Sequence, residues 1–144
     1  MARKQYFLIV DVETSIKDTV ADFGAVICDR HGKIATQCAV LVQSVFGVES
    51  LFFDKGKPGI WSAAGVSKRM NKYNAMLQSG SRMLASVAAV NRWLEKAAGK
   101  YNPTLTAYNL PFDADKCQKT GIDLNPFAAR FCLWAGEVSA PRRS

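Results

Sequence analysis

YFLIVDVETS, residues 6–15, is an apolar run that ends in two carboxylates, Asp11 and Glu13. Five consecutive apolar side chains cannot alternate between core and solvent, so we expect a central strand that is buried on both faces. The two-residue repeat of a strand places both carboxylates on one side, roughly 6–7 Å apart. Such a pair repels itself and loses solvation unless a cation lies between its members. The stretch therefore predicts either a site for a divalent ion such as Mg²⁺ or Mn²⁺, or two solvated side chains at a frayed strand end.

The composition limits the class of protein. The chain has 144 residues, of which 49% are hydrophobic and 22% charged, which is typical of one globular domain. A net charge of +7 favours an anionic partner, most commonly nucleic acid. The four cysteines form no CxxC pair and no zinc spacing, and no apolar run is long enough to span a membrane. These features predict a cytoplasmic protein with reduced thiols and no membrane partner.

The order of the elements predicts an α/β fold with a mixed sheet. After the first strand, the turn residues Asp29–Gly32 predict a hairpin. We expect residues 1–138 to form a single domain and residues 139–144 a disordered tail. Loop 43–60 is apolar enough to pack against a cleft. The predicted elements after the first strand are a hairpin of strands 20–28 and 33–42, helices over 61–77 and 82–98, a strand over 104–108, a helix over 111–120 and a strand over 127–134.

A third acidic residue, Asp113, lies one turn into the helix that follows strand 104–108. If this strand neighbours the first one, Asp113 faces the same site as Asp11 and Glu13. Asn109 at the strand–helix junction could hydrogen-bond a substrate, and Phe112 could pack under a base or sugar. The structural alternative is that Asn109 is only a helix cap and Asp113 only a favourable first-turn acid.

Two segments carry a resemblance to a known family. DVET at 11–14, followed by DFGAV at 22–26, resembles the first motif of the DEDD (DnaQ-like) 3′–5′ exonucleases. AYNLPFD at 107–113 resembles their second motif, an asparagine followed by an aromatic–aspartate pair. The resemblance runs from about Tyr6 to Trp134. It implies a ribonuclease H-like mixed sheet with a β-hairpin and flanking helices, shortened at its C-terminus.

The resemblance also implies roles for individual residues. Asp11 is similar to the carboxylate that bridges two Mg²⁺ or Mn²⁺ ions, while Glu13 and Asp113 are similar to ligands of one ion each. Two ions about 3.5–4 Å apart would support hydrolysis of phosphodiester bonds at the 3′ ends of single-stranded DNA or RNA. The catalytic and metal-binding residues would be Asp11, Glu13 and Asp113, and the substrate-binding residues Thr14, Asn109 and Phe112.

The sequence departs from the family at its third motif. A histidine or tyrosine base and a fourth metal-binding aspartate should follow well after Asp113, and neither has a counterpart here. Each loss should remove several kcal/mol of transition-state stabilisation. Three interpretations follow: an exonuclease that completes its site with a substitute residue, a second subunit or solvent, a weak relative that binds nucleic-acid ends, or a protein-interaction module. The last interpretation predicts a homodimer or a partner protein that covers the shortened face.

Overall fold

The computed structural model describes residues 4–139, which form one seven-stranded mixed sheet with helices on both faces. The strand order is β4-β3-β2-β1-β5-β6-β7, so β1 is central, as the sequence predicts. Its neighbours are the antiparallel β2 and the parallel β5. The strands are β1 (Tyr6–Thr14), β2 (Val20–Asp29), β3 (Ile34–Val42), β4 (Met83–Ala85), β5 (Thr104–Ala107), β6 (Arg130–Cys132) and β7 (Glu137–Ser139).

Among residues 4–139, three helices and one short 3₁₀ turn, Gly59–Trp61, lie between the strands. Helix α2 begins after Ser86, whose side chain accepts a hydrogen bond from the Ala89 N–H. Helix α3 ends at Gly121, which adopts a φ of 90° that an L side chain would oppose. The helices are α1 (Gly65–Ser79), α2 (Val87–Tyr101) and α3 (Leu110–Thr120). None of the helices described is long and apolar enough to cross a membrane.

One face of β1 is part of the hydrophobic core. Leu8 is fully buried, and Val10 and Val12 on the same face are nearly so. Their neighbours on β2 are Phe23, Ala25 and Ile27, which the strand register places directly opposite. The buried side chains of α2 and α3, such as Leu94 and Cys117, complete this core. We refer to this side, which carries Leu8, Val10 and Val12, as the closed face.

The other side of β1 corrects the prediction of a strand buried on both faces. Ile9 is 42% exposed, and Asp11 on the same side reaches solvent. The alternation of burial along β1 is regular despite the continuous apolar sequence, because helices α2 and α3 cover one side only. Helix α1 covers part of the other side and leaves a cavity beneath it. We refer to this side, with Ile9, Asp11 and Glu13, as the open face.

Most predicted elements are confirmed, and the errors lie at the starts of α1 and α2 and in the last two strands. The hairpin with its Asp29–Gly32 turn is observed, as is the helix before Gly121. The predicted helix over 82–98 is wrong at its start, because 83–85 pair with β3 as β4 and the helix begins at Val87. The helix over 61–77 begins four residues late, and strand 127–134 shrinks to β6. Strand β7 was not predicted and includes Ser139, the first residue of the predicted tail, whereas 140–144 lie outside the described residues.

Candidate functional site

The end of β1 and the start of α3 bring the predicted acids together. Strand β5 pairs with β1 only as far as Ile9, so the backbone beyond that point has no strand partner on this side. There the Val12 N–H donates a hydrogen bond to Asp113 Oδ1 at 3.3 Å. Val12 separates Asp11 from Glu13, so Asp113 lies beside the segment that carries both. The structure thus brings Asp113 next to the end of β1, the strand segment that carries Asp11 and Glu13.

Asp11 and Asp113 occupy an environment that opposes their ionisation. Burial raises the pKa of Asp113 to about 6, although the Val12 N–H lowers it in part, and the charge of Asp11 adds to the increase. Partial desolvation raises the pKa of Asp11 as well, and the neighbouring Glu13 raises it further. Arg82 offsets this effect on Asp11 only in part. The site therefore concentrates negative charge that the nearby side chains do not fully neutralise.

A hydrogen-bonded network holds Glu13 from the side of α1. The Tyr73 hydroxyl lies 2.7 Å from Glu13 Oε2 and 3.0 Å from Asp22 Oδ2, so its single proton is shared between two carboxylates. Arg82 Nε donates to the other oxygen of Asp22 at 3.1 Å. Burial and the two carboxylates raise the pKa of Tyr73. Tyr73 is therefore a hydrogen-bond donor at neutral pH and not a base.

Two cavities meet at Asp11 and Glu13. The first, of about 520 Å³, lies between the open face and α1, and we call it the sheet cavity. The second, of about 450 Å³, lies between the end of β1 and loop 52–61, and we call it the loop cavity. The side chains that line both cavities are Asp11, Glu13, Trp61 and Arg69. Asp11 and Glu13 therefore lie where the two cavities adjoin, whereas Asp113 lines neither cavity.

Arg69 lines both cavities and anchors the loop that lies beside them. Its guanidinium donates to the carbonyl oxygens of Ile60 and Phe52 and lies 4.8 Å from the ring centroid of Trp61. The Arg69 side chain is only 7% exposed, so it is not part of a solvated basic face of α1. Gly65 allows the close contact between loop and helix, since a Cβ there would lie 2.3 Å from the Ile60 carbonyl oxygen.

Two of the three predicted substrate residues line the loop cavity, and the third, Asn109, does not. Thr14 and Phe112 line the loop cavity with Asp11 and Glu13, and Phe112 is 43% exposed there. Asn109 precedes α3, but its side chain makes no capping hydrogen bond, so the alternative of a simple helix cap is wrong. Only its backbone carbonyl takes part, accepting from the Asp113 N–H at 3.2 Å.

The donor chemistry of the site fits Mg²⁺ or Mn²⁺, which prefer carboxylate oxygens. Asp11, Glu13 and Asp113 would supply them. Burial, more than mutual repulsion, raises the pKa values of Asp11 and Asp113, and a bound cation would favour their ionised forms. Within residues 4–139, however, no three Asp, Glu, His or Cys side chains are close enough to form a ready ligand set. The three carboxylates are therefore near one another but do not form a complete set of metal ligands in this conformation.

Sequence reasoning missed several residues of the site. Tyr73 on α1 and Asp22 on β2 were not predicted to belong to the site, although the Tyr73 hydroxyl contacts Glu13 and Asp22. Asp54 lines the loop cavity with Asp11 and Glu13, held by a hydrogen bond from the Gly56 N–H to its Oδ1. No local pattern connects these residues, because each reaches the site from a different element. What these residues share is visible only in the structure: each has a polar side chain that is buried or faces a cavity.

Comparisons with known proteins add no relative. No family model, no curated protein and no solved structure matches the chain. The functional interpretation therefore rests on the residues and their geometry.

Proposed function

We propose that the protein is a metal-dependent 3′–5′ exonuclease of the DEDD type with a ribonuclease H-like fold. The observation that carries this proposal is the hydrogen bond from the Val12 N–H to Asp113, which joins the acids of the two motifs at one strand end. The mixed α/β sheet, with its hairpin next to the central strand, is compatible with that fold. The net charge of +7 suits a polyanionic substrate.

The reaction would be hydrolysis of the last phosphodiester bond of a single strand. A water oxygen bonds to phosphorus, the bond from phosphorus to the 3′ oxygen breaks, and that oxygen takes a proton. The products are a nucleoside 5′-monophosphate and a strand one unit shorter. Mg²⁺ or Mn²⁺ held by Asp11, Glu13 and Asp113 would activate the water and balance charge on the phosphoryl oxygens.

The remaining residues of the chain would position the substrate and the acids. Tyr73 fixes the Glu13 carboxylate, because its hydroxyl hydrogen bond leaves that side chain one preferred orientation. Phe112 offers an exposed ring against which a terminal base or sugar can pack. Thr14 and Asn109 would contact the terminal nucleotide. Lys57, an exposed cation on the loop cavity, lies where the phosphate of that nucleotide would enter.

A 5′-labelled oligonucleotide incubated with the protein and Mn²⁺ tests the proposal. We expect a ladder of products shortened from the 3′ end, and we expect Asp11→Asn to lower the rate by about 10³-fold. Asp115→Asn is the matched control, since Asp115 lies on the exposed side of α3 and pairs only with lysines. Absence of a ladder, or a ladder that persists in Asp11→Asn, contradicts the proposal.

A second candidate function is a non-catalytic module that binds nucleic-acid ends or a partner protein. The observation that favours it is the open face, where Ile9 is 42% exposed beside the acids. Such a module would bind oligonucleotide in the absence of Mn²⁺ and release no nucleotide in its presence. A homodimer or partner complex that covers the open face would appear by light scattering as a mass above that of one chain.

A further inference from the structure

We propose that the outer face of helix α2 binds the phosphate backbone of nucleic acid, at a place separate from the candidate catalytic site. Arg92, Lys96 and Lys100 recur at every fourth residue of this helix, and all three are exposed. Side chains four residues apart lie on one side of a helix, about 6 Å apart along its axis. The three cations therefore form a line about 12 Å long, which we call the basic stripe.

The basic stripe lies on the opposite side of the sheet from the two cavities. Helix α2 covers the closed face, where it buries Val90, Leu94 and Ala97. In the described part of the chain, no residue of α2 lines the sheet cavity or the loop cavity. A strand on the basic stripe is therefore a different segment, or a different molecule, from one whose 3′ end reaches Asp11. The surface can bind nucleic acid whether or not the protein cuts it.

The folded protein leaves the charges of the basic stripe without compensation. Among residues 4–139, none of the three cations forms an ion pair with an acidic side chain. Like charges four residues apart repel one another, so Arg92–Lys96 and Lys96–Lys100 both oppose the helix. The helix dipole favours a cation in the last turn, which accounts for Lys100 alone. A bound polyanion would replace this repulsion by attraction at all three positions.

The rest of the exposed surface of α2 favours nucleic acid over a membrane. Apart from the basic stripe, the exposed residues of this helix are Ala88, Glu95 and Gly99. A helix that binds a lipid surface presents large apolar side chains for insertion, and none of these residues is one. Among the residues that the structure describes, a Cβ at Gly99 would meet no neighbouring atom within 4 Å. The backbone beside Lys100 is therefore open to the close approach of a phosphate.

The spacing of the basic stripe fits a row of phosphates. Successive phosphates on one strand of a duplex are about 3.4 Å apart along the axis, so cations about 6 Å apart can meet about every second one. Lysine has a flexible stem that can absorb the small mismatch. Arg92 can bind two oxygens of one phosphate through its planar fork of donors. These contacts carry no base information, so the basic stripe would hold a strand of any sequence.

A circular single-stranded oligonucleotide with an internal fluorophore tests the proposal, because it has no 3′ end to enter the catalytic site. Its anisotropy is titrated in EDTA at several salt concentrations, so that binding is measured without hydrolysis. The stripe variant carries Arg92→Gln, Lys96→Gln and Lys100→Gln. We expect it to bind about 10-fold more weakly than the wild type at about 50 mM salt. The slope of log K against log[salt] should become shallower by about 2, since each single-strand phosphate contact contributes about 0.7.

The control variant carries Lys17→Gln, Arg30→Gln and Lys33→Gln, which are exposed cations in the turns on either side of β2. It removes the same charge from the net +7 as the stripe variant does, but not from one line. We expect its salt slope to stay within about 0.5 of the wild-type slope. Glutamine forms helices about as well as lysine and arginine, and the stripe variant also loses like-charge repulsion. It should therefore unfold at or above the wild-type temperature.

A stripe variant with the wild-type slope overturns the proposal, and so does a control variant whose slope changes as much. If the stripe variant does not fold, Lys96→Gln alone decides, with an expected change in slope of about 0.7, and no change overturns the proposal. Polyglutamate serves as a competitor of the same charge sign. If it displaces the oligonucleotide as well as an unlabelled copy does, the surface is one for acidic polypeptides, and the nucleic-acid assignment fails.

Discussion

The closed and open faces of β1 differ in how fully helices cover them and in the polarity of their side chains. On the closed face, helices α2 and α3 exclude water, and apolar side chains such as Leu8 and Val12 fill the space. On the open face, one helix stands off the sheet and leaves a cavity lined by Asp11 and Glu13. Adjacent residues of one strand therefore serve separate purposes: the closed face supplies the rigidity that keeps the open face in place.

The largest expected effect compares two neighbouring residues on the two faces. Leu8→Ala removes a fully buried side chain and should lower the free energy of unfolding by about 3–4 kcal/mol. Ile9→Ala, at a side chain 42% exposed, should cost about 1 kcal/mol or less. Urea denaturation of the two variants measures the difference. Similar losses would show that the open face is covered in solution, by a second copy or another partner.

An intermediate effect concerns the network behind Glu13. Tyr73→Phe removes the donor shared by Glu13 and Asp22, and should lower the free energy of unfolding by about 1–2 kcal/mol. It should also reduce kcat for hydrolysis of the p-nitrophenyl ester of a nucleoside 5′-monophosphate while KM changes little, because the phenol positions the Glu13 carboxylate. Tyr101→Phe is the control, since its ring packs against Tyr6 away from the acids. An unchanged kcat in Tyr73→Phe would contradict the positioning role.

The smallest effect is a pH dependence from Asp113. The folded protein raises the pKa of this carboxyl to about 6 from 3.8, so the folded state binds a proton more tightly than the unfolded state. Without divalent ions, stability should therefore rise by on the order of 1 kcal/mol as the pH falls from 7 to 4.5. In thermal unfolding, Asp113→Asn should lack this gain in stability at low pH, while Asp123→Asn should keep it. An Asp113→Asn variant whose stability changes with pH as much as that of the wild type would contradict the assignment.

The sequence predicted what depends on local order along the chain. The apolar run before Asp11, the turn at Asp29–Gly32 and the helix stop at Gly121 each carry their own signal, so the hairpin, α3 and the convergence on Asp113 were predictable. Coverage of a strand depends instead on where distant helices cross the sheet, and five apolar residues do not reveal that one side is open. Strand β4 has three residues, too few for a period, and depends on its pairing with β3.

The acidic residues of the site were predictable from the sequence, but the residues that hold them and the neighbouring loop in position were not. Asp11, Glu13 and Asp113 lie within motifs whose spacing is visible in the sequence. Tyr73 reaches Glu13 across 60 residues, and Arg69 reaches the carbonyl of Phe52 across 17. Such contacts follow from the packing of α1 on the sheet, which no local pattern encodes. Arg69 is the clearest case. It is buried because it donates to backbone carbonyl oxygens, and a backbone carbonyl leaves no signature in the sequence.

The anchoring of loop 52–61 by Arg69 has a consequence for the thermodynamics of ligand binding. A free loop would lose conformational entropy when a ligand ordered it, and that loss would be subtracted from the affinity. Here the guanidinium already holds the carbonyls of Phe52 and Ile60, so most of that ordering occurs during folding. Ligands that contact Trp61 should then bind with a small entropic penalty. Arg69→Lys, which keeps the charge but loses the fork of donors, should make that penalty larger and visible by calorimetry.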